Sequence, residues 1–87
     1  MTMLAEHSIV VLNSDMPDAG LHAGDVGAIV HVHGQGKAYE VEFVDGDGTT
    51  VALMTLDASA VRPIGAGELL HIRRRDLAEQ SDAAERE

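Results

Sequence analysis

Apolar and polar positions alternate most regularly between Ala38 and Val44. Tyr39, Val41 and Phe43 fall on one side there, and Glu40 and Glu42 on the other. A period of two marks a strand with one buried and one solvated face. The preceding run, Val26 to His33, alternates less cleanly. Val26, Ala28, Val30 and Val32 make the expected inward set, and Gly27, Ile29, His31 and His33 the outward one. Gly27 in a strand signals a bend or a close backbone approach. Gly34-Gln35-Gly36-Lys37 joins the two runs, and Asp45-Gly46-Asp47-Gly48 supplies a second hairpin turn. Thr49 to Leu56 reads as a further strand with an open choice of inward face. Val51 and Leu53 compete there with Ala52, Met54 and Leu56.

Upstream, Ser8-Ile9-Val10-Val11-Leu12 is a β-branched and aliphatic run, the first strand. With Val10 and Leu12 facing the core, Ile9 and Val11 face outward. Asn13 to Gly20 is a loop punctuated by Pro17 and Gly20, and Leu21 is its core plug. Downstream, Asp57-Ala58-Ser59-Ala60 predicts one helical turn and Val61-Arg62-Pro63 a short closing strand. Pro63 belongs at an edge, where its missing N–H does no harm. Five short strands, glycine-rich turns and one helical turn before the last strand predict a mainly β fold. The pattern is that of a small SH3-like, KOW-like antiparallel barrel over residues 8–63. Residues 1–7 read as a loose lead-in. Residues 64–87 form a C-terminal extension. Gly65 to Gly67 breaks the chain, Glu68 to Ile72 suits a strand or the start of a helix, and Arg73 to Glu87 suits a frayed helix or disordered tail.

The 87 residues allow one domain with a small core. The chain has no cysteine, hence no disulfide and no thiolate metal site. With neither a secretion-signal pattern nor an apolar run of roughly 18 residues, a soluble, cytoplasmic protein is expected. The net charge is −9. Residues 1–64 hold two basic against nine acidic side chains, a net of −7. A nucleic-acid binder needs a basic footprint, and the β-rich body has almost none. Acidity suits solubility or a basic partner.

The segments Val10-Val11-Leu12, Asp15-Met16-Pro17 with Gly20-Leu21, Gly24-Asp25-Val26-Gly27, Ala38 to Phe43, and Leu56-Asp57-Ala58 with Val61-Arg62 carry a resemblance. Together they resemble the bacterial domain-of-unknown-function family 4926. The resemblance covers roughly residues 8–63. It implies an SH3-like barrel and no established activity. Such small proteins are often encoded beside another small gene, which implies an antitoxin-like or immunity-like role toward that neighbour's product. A looser similarity links Val10 through Val30 to the KOW element of ribosomal and transcription-factor barrels. It implies nucleic-acid association, although the loop here offers Asp15, Asp18 and Asp25 in place of basic residues.

His31 and His33 share a strand face about 7 Å apart. Glu40 or Glu42 across the hairpin would add a carboxylate, so a metal-dependent role is one alternative. Two polar residues on a solvated face is the plainer one, and no metal or cofactor is expected. Asp45 and Asp47 lack the rest of a calcium loop. No catalytic constellation is readable, so the expectation is a non-enzymatic protein. Arg73-Arg74-Arg75 is the single basic cluster, at the start of a solvated segment. The apolar surplus is more informative. Ile9, Val11, Ile29, Leu69, Leu70 and Ile72, with His31, His33, Glu40 and Glu42, make the expected contact surface. An apolar area rimmed by acids fits another protein, basic in character, or a second copy. The alternative is that the C-terminal segment folds back and covers these residues.

Overall fold

The computed structural model describes residues 4–75. It contains five antiparallel strands in one sheet: β1 (Ile9–Leu12), β2 (Val26–His33), β3 (Ala38–Val44), β4 (Thr50–Asp57) and β5 (Val61–Pro63). Their spatial order is β4-β3-β2-β1-β5. The two edge strands, β4 and β5, are nevertheless consecutive in the chain. Only the single 3₁₀ turn Ala58–Ala60 joins them. Such a turn spans about 6 Å, so the sheet must curl until its two edges meet at that end. This is the SH3-like architecture, with the edges joined by a turn and not by a hydrogen-bonded ladder. Asp57 caps the turn, accepting hydrogen bonds from the Ser59 backbone and hydroxyl. Pro63 sits on the outermost strand, opposite Val10.

The curl encloses one core. Val10, Leu12, Ile29, Val41 and Phe43 are its centre, and Leu21 plugs it from the loop between β1 and β2. That loop is closed by a reciprocal backbone pair between Met16 and Leu21. Gly20 follows the turn Pro17–Ala19 in the left-handed conformation. The core reaches past the strands to Leu4, whose backbone N–H donates to the Tyr39 hydroxyl at 3.1 Å. Tyr39 is buried, and this bond satisfies its polar end. The lead-in is thus docked from Leu4 onward, not loose. His7 also donates its backbone N–H to the Ile29 carbonyl.

β2 corrects the expected inward set. Ile29 opposes Val41 and His31 opposes Glu40, which leaves Val30 as an extra residue on β2. One inserted residue reverses the side-chain phase of everything beyond it. Gly27 and Ile29 therefore face the core before the bulge, and Val32 packs on it afterwards. Val30 is left exposed. Gly27 is required where it stands. A Cβ there would lie 2.7 Å from Val41 Cγ1 and 2.9 Å from Phe43 Cε2. The Gly34–Lys37 turn runs through three successive positive φ values, at Gly34, Gln35 and Gly36, which suits the glycines flanking Gln35.

β4 resolves its open face in the same way. Ala52, Met54 and Leu56 oppose Phe43, Val41 and Tyr39 and share their side of the sheet. Val51 joins the core as well, because a second register shift leaves it unpaired between Thr50 and Ala52. Leu53 is left exposed.

Candidate interaction surface

The outer face of the sheet is built in rows by the strand register. Ile9, Ala28, Glu42 and Leu53 form one row, and His31, Glu40 and Thr55 the next. Ile9 and Leu53 are about half exposed, at 45% and 54%. Two expected contact residues are not available. Ile29 is fully buried, because the Val30 bulge turns it inward. Val11 points away from the core cluster yet is also buried. It lies on an interior strand, with Val26 on one side and Arg62 on the other.

His31 and His33 do come together, their rings edge to face with centroids 4.5 Å apart. Glu6 approaches His31 at 3.5 Å, and Glu40 approaches His33 at 3.6 Å. Among the described residues, no three His, Cys, Asp or Glu side chains are grouped so as to hold a metal ion. Glu42 instead accepts a hydrogen bond from the Thr50 hydroxyl. This face offers the half-exposed His31 imidazole and carboxylates that accept hydrogen bonds, whereas His33 Nε2 is buried beside Glu40 with no hydrogen-bond partner among the described residues.

The C-terminal segment is neither strand nor helix up to Arg75. It is a strap tied at both ends. At its start, Glu68 takes a two-pronged contact from the Arg62 guanidinium at 2.7 and 2.8 Å, and accepts the Gly65 N–H. The Arg62 bond holds the Glu68 carboxyl at about 2. At its end, Arg73 grips Asp25 at 2.7 and 3.0 Å and also donates to the Gly20 carbonyl. Hydrogen bonding from Arg73 lowers the Asp25 pKa against the opposing effect of its partial burial. Arg75 adds a longer contact of 3.4 Å to Asp45.

The arginine cluster is therefore a tether to the barrel, not a solvated helix start. Sequence reasoning missed this latch, although a signal existed. The β2–β3 hairpin places Asp25, just before β2, and Asp45, just after β3, at the same end of the sheet. Arg73 and Arg75 are spaced to reach both. The part of the expected tail from Asp76 to Glu87 lies outside the described residues.

Between these ties the strap covers little of itself. Leu69, Leu70 and Ile72 are 88%, 69% and 92% exposed. Beneath its end lies an open cleft of about 500 Å³. Leu21, Val26, Phe43 and Val51 line the barrel side, and His71 and Arg73 the strap side. The expectation that the extension folds back holds for its arginines and fails for its large aliphatic residues.

Among the described residues, no helix is long and apolar enough to cross a membrane. No curated protein and no solved structure matches the chain. A family profile does match, over residues 6–63, the span that holds all five strands and ends where the strap begins. The chain thus belongs to the family described as Domain of unknown function (DUF4926).

Proposed function

We propose that this protein is a non-enzymatic interaction module that binds another protein. An antitoxin-like or immunity-like role toward an adjacently encoded product is the specific form of this reading. The observation that carries it is the strap. Three large aliphatic side chains, Leu69, Leu70 and Ile72, stand in solvent on a segment fixed at both ends by ion pairs. Apolar groups presented on a tethered backbone lose less freedom on binding than the same groups on a free tail. The strongly acidic body favours a basic partner and speeds encounter with it.

Nucleic acid is the weaker candidate. Two of the three clustered arginines, Arg73 and Arg75, are engaged by Asp25 and Asp45, and Arg62 is engaged by Glu68. Neutralised guanidiniums release few counterions from phosphate.

The test is co-expression of the full chain with the product of its neighbouring gene, followed by affinity capture and mass measurement. A defined complex is expected. It should be lost in the variant Leu69→Ser, Leu70→Ser, Ile72→Ser, which should keep the wild-type melting temperature. A chain that stays monomeric and captures nothing defeats the proposal.

A further inference from the structure

The two edges of the sheet are guarded very differently. β5 is three residues long and contains Arg62 and Pro63. A short edge with a charge and a proline is poorly suited to pair with another strand. β4 is eight residues long and contains no proline, and its one charge is Asp57 at the end. The Val51 bulge disturbs only its beginning. From Ala52 to Leu56 the outer edge is regular and uncharged, and no described segment pairs with it. Alternate backbone N–H and C=O groups there face outward and form a template for one more strand.

Deepening the proposed role as an interaction module, we infer that the β4 edge accepts an extended, basic segment of a partner protein as a sixth strand. Side-chain alternation sets the chemistry of that segment. Its inward residues would lie beside Ala52 and Met54, which are only partly buried and pack on the core, so they should be apolar. Its outward residues would lie beside Leu53 and Thr55, which oppose Glu42 and Glu40 of β3. Asp57 marks one end of the edge. Asp47, whose carboxylate accepts the Thr49 N–H, stands before the other. Lys37, near the Asp57 end through its carbonyl bond to Ala58, and Arg75, 3.4 Å from Asp45 at the other end, are the opposing charges, outnumbered by Glu40, Glu42, Asp45, Asp47 and Asp57. Lysine or arginine at alternate outward positions of the incoming strand complements this rim. Backbone pairing would supply affinity, and the alternation specificity.

A second copy fits less well, since its own β4 brings no positive charge. Residues 76–87 fit less well too, because they hold five acidic side chains and one arginine.

The probe is a blocked seven-residue peptide alternating valine and lysine, with a valine–glutamate peptide as control. Both are titrated against the full chain while amide hydrogen exchange is followed. The lysine peptide should slow exchange within Ala52–Leu56 by about tenfold or more at saturation. The glutamate peptide should not. Leu53→Lys, placed opposite Glu42 on an exposed site, should weaken binding by about tenfold, and Thr55→Lys should do the same should the first variant fold poorly.

Equal binding of both peptides, protection elsewhere, or no binding overturns the inference. So does protection of Ala52–Leu56 that rises with protein concentration alone, which would place a second copy on the edge. A co-expressed partner that binds yet leaves these amides unprotected also overturns it while leaving the interaction role standing. Absence of any partner defeats that role instead.

Discussion

The β2–β3 hairpin and the C-terminal strap are both rich in aliphatic residues, and they meet opposite fates. Ile29, Val41 and Phe43 are almost wholly buried, whereas Leu69, Leu70 and Ile72 are largely exposed. Apolar content is therefore a poor guide to burial in so small a chain. What differs is the backbone. The hairpin satisfies its N–H and C=O groups in ladders on both sides, so it can enter the interior. The strap has no ladder and is held by side-chain ion pairs at the surface. Its aliphatic groups remain outside, where a partner could use them.

The largest effect that would break this contrast is in the core. Ile29→Ala should cost about 2–5 kcal/mol in chemical denaturation, the range for a fully buried aliphatic residue. Ile9→Ala, on the exposed row, should stay within about 0.5 kcal/mol. Equal losses would mean that the Val30 bulge does not turn Ile29 inward.

Gly27→Ala should come next, at about 1–3 kcal/mol, because the new methyl meets Val41 and Phe43 below contact distance. Pairing it with Val41→Ala should recover part of the loss, and a purely additive double variant would argue against the clash.

Smaller effects belong to the latch. Arg73→Ala should cost no more than about 1 kcal/mol, as befits a partly exposed pair. Asp25→Ala should cost more, about 1–2 kcal/mol, since that carboxylate also accepts the His22 N–H. Both variants should lower the NMR backbone order parameters of residues 68–75 while leaving β2 and β3 rigid. Loosening of the whole barrel would show that the strap is part of the core.

The subtlest prediction concerns acid. The Asp25 carboxyl has a folded pKa below its ordinary 3.8, and Glu68 has one of about 2 against 4.5. A depressed carboxylate stabilises the fold fully above its ordinary value and ceases to do so as pH falls through the folded one. The strap should therefore stay latched at neutral pH and detach progressively below about pH 4. NMR backbone order parameters of residues 68–75 would report this before the barrel melts. A strap equally ordered at pH 2 and pH 7 would refute the ion-pair account.

Much of this molecule follows from local rules. Tyr39-Glu40-Val41-Glu42-Phe43 alternates because one face is buried, and no other phase puts its glutamates in water. The turns at Gly34–Lys37 and Asp45–Gly48, the cap at Asp57 and the edge position of Pro63 each express the conformational limits of one or two residues. These features determined five strands, their order in the chain and a curled sheet. His31 and His33 were likewise legible as neighbours on the outer face.

The tertiary structure decided the rest. Which side of β2 faces inward depends on a bulge at Val30, and both Ile29 and Val30 are apolar enough to suit either side. Only pairing with β3 selects between them. The inward face of β4 is set by Phe43, Val41 and Tyr39 across the ladder, not by its own nearly uniform apolar sequence. Val11, pointing away from the core, is buried between Val26 and Arg62 of the neighbouring strands, whereas Ile9 on the same strand stays exposed. The strap's course depends on Arg73 meeting Asp25 across 48 residues of chain. A local period cannot encode such contacts. They arise only once the barrel brings its turns to a common end.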